Sequence, residues 1–211
     1  KETFVQYKPD PGDPNSLSHS TVYGIFGDSS GNIWLATDLG VNRFNPANNG
    51  FDHYIHQEAD TNSLVHNEIL SIMEDRDGNL WIGTYGKGLD KLDTGSGTFI
   101  HFRNIPELNT AVIYGILQDE EGILWLSTNN GIMSFNPESR QVTGYSVEDG
   151  LQSNEFNGTS YYRSPEGEMF FGGQYGFNSF FPKQVVKDTV PPLIVLTDLQ
   201  VRNQSVRPAP D

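Results

Sequence analysis

Asp75-Arg76-Asp77-Gly78-Asn79-Leu80-Trp81-Ile82-Gly83-Thr84 is the stretch whose reading decides the fold. Its middle returns as Gly31-Asn32-Ile33-Trp34-Leu35 and as Gly122-Ile123-Leu124-Trp125-Leu126, and a worn copy reads Gly167-Glu168-Met169-Phe170-Phe171. The anchors Trp34, Trp81, Trp125 and Phe170 thus recur every 44 to 47 residues. Other residues keep the same phase: Asp28, Asp75, Asp119 and Ser164 ahead of each glycine; Gly40, Gly88, Gly131 and Gly176 behind each anchor; then Phe44, Leu92, Phe135 and Phe180. Ser16-Leu17-Ser18-His19 likewise recurs as Ser63-Leu64-Val65-His66. A period of this length marks a tandem architecture, and it governs every other reading.

Within one period the apolar residues form four short runs, such as Ile69–Met73, Leu80–Thr84, Gly88–Leu92 and Phe99–Phe102. Their length, their β-branched and aromatic content and the Gly/Asp/Asn punctuation between them read as strands joined by tight turns. A four-stranded antiparallel unit of about 45 residues in tandem predicts an all-β chain, a β-propeller of about four blades. The units fall as follows: 1–15, an outer strand of a preceding blade with its connector; blades at 16–62, 63–109, 110–150 and 151–189; and 190–211, the first strand of a following module.

Composition agrees. Twenty-two Gly and 13 Phe beside three Met suit turns and short aromatic strands, and 36% hydrophobic residues suffice for a core. A net charge of -14 argues against nucleic acid and anionic membrane surfaces, and we read it as solvated acidic turns. With no Cys there is no disulfide, thiolate metal site or Cys nucleophile. No apolar run approaches the roughly 20 residues of a membrane span, and Lys1-Glu2-Thr3-Phe4 does not read as a signal peptide.

The Gly-Asn-Leu-Trp-Ile-Gly-Thr run, the Asp-x-x-Gly turn before it and the Ser-Leu-x-His lead-in resemble the two-component regulator propeller repeat. Gly150-Leu151-Gln152-Ser153-Asn154-Glu155-Phe156-Asn157 and Gly176-Phe177-Asn178-Ser179-Phe180-Phe181-Pro182 resemble that family's last blade, and Pro191–Leu199 resembles the first strand of its Ig-like triple-tyrosine module. The resemblance covers nearly the whole chain. It implies the extracytoplasmic, periplasmic sensor part of a membrane-anchored bacterial receptor, with a histidine kinase or diguanylate cyclase output elsewhere. It also implies a ring of about seven blades, longer than this chain. Phe4-Val5-Gln6-Tyr7-Lys8 matches Phe51-Asp52-His53-Tyr54-Ile55, an outermost strand, whereas the fourth blade has no outer strand of its own. Either Phe4–Lys8 closes the ring on the fourth blade, or the chain is an arc of a larger ring. We favour the arc, and expect self-association through exposed blade faces or terminal strands.

The three Trp would each bury ~150–250 Å2, up to roughly 4–6 kcal/mol at about 25 cal/mol per Å2, and are read as packing between blades, not a sugar platform. The glycines Gly31, Gly78, Gly122 and Gly167 serve the tight turns. These Asp-rich turns lack the further oxygen ligands of a calcium loop, so no metal is assigned. His19 and His66, on adjacent blades with no third ligand, read as loop-packing residues, and His53, His56 and His101 as solvated polar faces. Antiparallel parity places the second-to-third-strand loops and the interblade connectors on one face. Those loops bring Asp38, Tyr85, Lys87, Asn129, Asn130, Gln174 and Tyr175 toward a channel mouth, where rings and amides suit neutral or uronic sugars or another small polar ligand. No acid pair for glycoside hydrolysis is evident in the loops, so the chain reads as no enzyme and calls for no cofactor. Clustering of Asp38 with Glu68 or Glu155 about the channel would favour an enzyme, and a dry mouth a purely structural propeller.

Overall fold

The computed structural model describes residues 4–102 and 104–186, and the backbone of 200–201 and 204–205. Four sheets follow one another along the chain, and in each the strands pair antiparallel in sequence order. The first blade contains β1 (Val22–Gly27), β2 (Ile33–Thr37), β3 (Gly40–Asn45) and β4 (Gly50–Tyr54); the second β5 (Ile69–Glu74), β6 (Leu80–Thr84), β7 (Leu89–Asp93) and β8 (Thr98–His101). The third contains β9 (Ile113–Gln118), β10 (Leu124–Thr128), β11 (Gly131–Phe135) and β12 (Val142–Tyr145). The fourth has β13 (Phe156–Arg163), β14 (Met169–Gly173) and β15 (Gly176–Phe180). The chain is an all-β, four-bladed propeller arrangement. Beyond it β16 (Gln200–Val201) pairs with β17 (Gln204–Ser205), and the Ig-like strand expected at 191–199 lies outside the described residues.

The anchors go where packing demands. Trp34 and Trp81 are 1% exposed and Trp125 5%. Trp34 shares a core with Leu64, Leu80, Ile82 and Phe99 of the second blade; Trp81 with Leu124, Leu126 and Phe135 of the third; Trp125 with Phe156, Met169 and Phe171 of the fourth. Each anchor therefore reaches forward into the next blade. Phe170 has ring contacts with Tyr162 and Phe177 of its own blade, which are 59% and 66% exposed. At the other end of the arc Ile25 and Ile33 of the first blade are 71% and 44% exposed, whereas Leu80, Leu124 and Met169, which match Ile33 in the repeat, are fully buried.

The turns hold a second regularity. Asp28 accepts from the Asn32 backbone and from Trp34 Nε1 at 2.8 Å; Asp75 does the same for Asn79 and Trp81, and Asp119 for Ile123 and Trp125. The aspartate thus closes the hairpin turn and satisfies the indole N–H that burial would otherwise orphan. In the fourth blade both partners are replaced together, by Ser164 and Phe170. Not all the acids are solvated, contrary to the compositional reading: Asp75 and Asp119 are buried, and Asp90 is wholly so.

The loop glycines answer to a specific approach. Gly40 and Gly131 sit at φ +84° and +90°, and a Cβ there would lie 2.2 and 2.0 Å from the carbonyl oxygens of Tyr54 and Tyr145, the last residues of their blades' outer strands. Gly176 shares the conformation at φ +120° but faces open space, since among the described residues its blade has no outer strand. Residues 4–8 do not supply it; they form no ladder, and Tyr7 packs edge-on against Phe44 and Phe51 of the first blade. Among the described residues, then, Phe4–Lys8 does not close the ring as the outer strand of the fourth blade.

The outer-strand histidines are engaged rather than merely solvated. His101 Nδ1 lies 2.7 Å from Asp90 Oδ1 and its Nε2 2.9 Å from the Thr61 carbonyl, while His56 Nδ1 lies 2.6 Å from the Leu64 carbonyl. They tie outer strands to the connectors. In the third connector the chain forms a single helical turn, α1 (Pro106–Asn109), unforeseen from sequence, with Pro at its start and Leu108 fully buried.

Candidate functional site

The innermost strands β1, β5, β9 and β13 surround a cavity of about 220 Å3 lined by Ile25, Ile72, Ile116 and Tyr161. β13 is two residues longer than its counterparts, and its register shifts between Phe156 and Tyr161. The extra length places Thr159, at φ 60°, in the cavity wall opposite β1. The channel interior is thus apolar and narrowed from one side.

Its mouth, on the face of the second-to-third-strand loops, is different. Tyr114, near the start of β9, donates a 2.6 Å hydrogen bond to Glu155 Oε1 of the next connector. Tyr23, at the same place in β1, is hydrogen-bonded to Asp38, and His19 Nδ1 lies 3.4 Å from Asp38 Oδ2. The hydrogen bond to Asp38, then burial, then the charges of Asp38 and Glu68 push the Tyr23 phenol up to about 12. Burial first, and then the bond to Glu155, push the Tyr114 phenol upward as well. Tyr85 stands within electrostatic reach of both phenols. The mouth therefore carries three tyrosines, three carboxylates and a histidine, drawn from all four blades and their connectors. A phenol held beside a carboxylate stays protonated at neutral pH and offers a ligand a ring face with a fixed polar edge.

Of the residues singled out from sequence, Asp38 and Tyr85 enter this cluster. The Asn129 side-chain oxygen accepts from the Val112 backbone N–H at 3.1 Å, so it holds its own loop. Asn130 is tied through its backbone to Thr128, and Lys87 likewise to Thr84. Tyr175, 80% exposed, hangs its backbone on the Gln152 side chain, and Gln174 beside it is exposed. His19 and His66 each accept a backbone N–H two residues on, at 3.2 Å, the loop-packing role expected of them. Tyr23 and Tyr114 were missed. Both fall in an aliphatic-Tyr-Gly step, Val22-Tyr23-Gly24 and Ile113-Tyr114-Gly115, at the mouth end of an innermost strand, and strand parity could have found them. Among the described residues no group of three His, Cys, Asp or Glu is arranged to hold a metal ion, and no helix is long and apolar enough to cross a membrane.

Comparison with known proteins fits this architecture. Residues 16–38, 63–86 and 107–130 match the two-component regulator propeller family model. Three of the chain's four blades thus each carry a segment similar to that repeat. The chain is 31% identical over 215 residues to histidine kinase P4 of Formosa agariphila, an alignment spanning 97% of this chain and 15% of that protein. The extracellular domain of a hybrid two-component system of B. thetaiotaomicron superposes with a TM-score of 0.68 at 24% identity, over 86% of this chain and 23% of that one. Streptogramin B lyase shares the fold at a TM-score of 0.53 and 17% identity, over 78% of this chain and 55% of that one. The chain thus spans a small part of its sensor relatives. It shares its propeller fold with the extracellular domains of two-component sensor systems.

Proposed function

We propose that this chain is part of the extracytoplasmic, periplasmic sensor of a membrane-anchored receptor and takes a neutral carbohydrate or similar small polar ligand at the tyrosine-lined mouth. The observation that carries this reading is the pairing of Tyr23 with Asp38 and of Tyr114 with Glu155 on either side of Tyr85. Ring faces suit the flat apolar sides of a pyranose, and carboxylates accept from vicinal hydroxyls. Three carboxylates disfavour a uronic acid, which narrows the neutral-or-uronic expectation to neutral sugars. In the longer protein the occupied mouth would bias blade packing, and an Ig-like module after residue 190 would pass that bias to a kinase or cyclase.

The clustering that would favour an enzyme is met in part, since Asp38 and Glu68 both act on Tyr23. Two of the carboxylates each accept a phenol O–H, which fixes their orientation while leaving lone pairs to accept from a ligand's hydroxyls. We therefore assign binding without turnover. Calorimetry of the chain against neutral and uronic oligosaccharides tests this. Tyr85→Ala and Asp38→Asn are expected to weaken neutral-sugar binding by tenfold or more, and Tyr175→Ala by less than twofold. Unchanged binding in the first two variants, or release of reducing ends from the sugars, overturns the assignment. Absence of binding across the panel supports a structural propeller instead.

A further inference from the structure

One residue of the third strand recurs as a hook on the connector that leads into its own blade. Asn42, Asp90 and Asn178 stand in the same place, two residues after the loop glycine. Each accepts from a connector backbone N–H: Asn42 Oδ1 from Ser18 at 2.9 Å, Asp90 Oδ2 from Val65 at 2.7 Å and Asn178 Oδ1 from Gln152 at 2.9 Å. Ser18, Val65 and Gln152 are equivalent too, each following one of the repeated leucines Leu17, Leu64 and Leu151. The third blade has Met133 there, and its connector is held by the α1 turn and by Asn129 instead. The two amide hooks satisfy themselves, since the Asn42 nitrogen donates to Ser18 Oγ and that of Asn178 to the Gly150 carbonyl. The hook of the second blade is a carboxylate, and it is wholly buried.

A buried carboxylate needs a protonated partner, and here it is His101, directly opposite Asp90 on β8. His101 Nδ1 lies 2.7 Å from Asp90 Oδ1, and its Nε2 lies 2.9 Å from the Thr61 carbonyl, which can only accept. Both ring nitrogens thus face acceptors. A neutral imidazole has one N–H and cannot serve both, so the pair holds one proton more than a neutral ring beside a carboxylate would. His53 is the same ring in the first blade. Its Nε2 lies 2.7 Å from the Ser16 carbonyl, but it stands opposite the neutral Asn42. The other charged and titratable groups on the packed elements are engaged elsewhere, and β6 carries none. On β7, Lys91 reaches Asp75 at 3.7 Å and Asp93 accepts from the Gly95 backbone. On the connector, His56 holds the Leu64 carbonyl, Glu58 is exposed, Asp60 accepts from Asn62, His66 accepts from Glu68, and Glu68 acts on Tyr23. Among the described residues no second ion pair reaches Asp90.

We propose that Asp90 and His101 form a proton-operated latch, which positions the connector carrying Glu68 to the mouth while their shared proton is present and releases it when the proton is lost. The path from latch to mouth is short. From the hooked Val65 the connector runs through Asn67, whose carbonyl accepts from Gly40 of the first blade, to Glu68, whose carbonyl accepts from Tyr85. Without the shared proton, the Nδ1 lone pair and the Asp90 charge face each other in a site that water does not reach. Opening the contact between β7 and the connector, so that water enters, relieves that repulsion. The ring gains its carboxylate on folding, so the stabilisation is complete below the ordinary imidazole range, about pH 6.5. It is lost as pH rises through the higher value that the pair sets. The latch goes beyond the sugar-binding reading, and it is tested without a ligand.

The test uses the full 211-residue chain and its five histidines. In a nitrogen-resolved NMR titration, the ring assigned to His101 is expected to keep both N–H protons at about pH 7.5, while His53 has lost one. Amide hydrogen exchange of Val65, corrected for its intrinsic rate, should lose about tenfold in protection between about pH 6 and about pH 8.5, as a shift of one pH unit in the proton's release implies. Asp90→Asn copies the hooks of the first and fourth blades. Its amide can donate to a neutral His101 Nδ1 while still accepting from Val65, so Val65 protection should then stay within about twofold over the same range. A His101 ring that loses its second proton together with His53 in the unaltered chain overturns the proposal without recourse to any variant. So does an equal pH-dependent loss at Val65 in Asp90→Asn, which places the responsible proton elsewhere.

Discussion

Asp75→Ser is the substitution that the fourth blade has already made at its own turn, and the structure says what it costs elsewhere. Asp75 accepts from Trp81 Nε1 at 2.8 Å, from the Asp77 and Asn79 backbones at 3.0 and 2.9 Å, and from the Asn79 side chain. Trp81 is 1% exposed, so its N–H has no water to turn to. An orphaned buried donor costs about 1–3 kcal/mol, and the weakened turn about 1 kcal/mol more. A serine hydroxyl recovers part of the turn, as Ser164 does with the Glu168 backbone at 3.2 Å. Asp75→Ser is therefore expected to lose ~2–4 kcal/mol. Trp81→Phe loses indole burial and strands the carboxylate near Lys91, also ~2–4 kcal/mol. Made together, the two changes reproduce the Ser164–Phe170 arrangement, and the orphans disappear in pairs. The double variant should then be more stable than the sum of the single effects by ~1–2 kcal/mol. Urea unfolding at pH 7, with unchanged slope, measures all four corners of the cycle. Additivity within about 0.5 kcal/mol would refute the idea that indole and aspartate stand or fall together.

Gly131→Ala is expected to cost more than ~2 kcal/mol, because strain at φ +90° adds to a Cβ driven into the Tyr145 carbonyl. Gly176→Ala meets only the strain, ~1 kcal/mol, and comparison of the two urea midpoints checks the difference. Tyr23 is expected to ionise late among the nine tyrosines, which absorbance near 295 nm records during an alkaline titration. Its folded pKa lies above the unfolded value, so its stabilising contribution is complete below about pH 10. That contribution is lost as pH rises through about 12. Tyr23→Phe should lower the amplitude of the late part of the titration, to which the raised Tyr114 phenol also contributes.

The architecture was legible because its signal is repetition. Four in-phase anchors and their glycines define strand order, turn positions and the inward-facing tryptophans without any three-dimensional information. The mouth was legible only in part. Asp38 and Tyr85 could be placed by parity, but Asn129 looked equally available and its side chain is occupied in holding its own loop. Tyr23 and Tyr114 lie on strands rather than loops, and a search confined to variable loops passes over them. Their meaning depends on which carboxylate stands opposite, Asp38 within a blade in one case and Glu155 of the next connector in the other. That is a relation between blades, and no single period of the repeat contains it. The helical turn at Pro106–Asn109 was hidden for a simpler reason. Four residues are too few to show a period, and only its buried Leu108 is fixed by packing.

The left-handed glycines do more than avoid a carbonyl. The amide of Gly40 donates to the Asn67 carbonyl, that of Gly88 to Ala111 and that of Gly131 to Asn154, so each loop at the mouth is bonded to the connector entering the following blade. Tyr85 and Glu68 are joined by the same kind of bond. The rim is therefore a linkage in series, with stiff sheets for rods and single hydrogen bonds for pins. A tilt imposed at one loop is handed to the next connector before it spreads down any blade. Displacement would travel around the circumference, and a ligand pressing on one sector would register as a change in pitch between blades some distance along the arc.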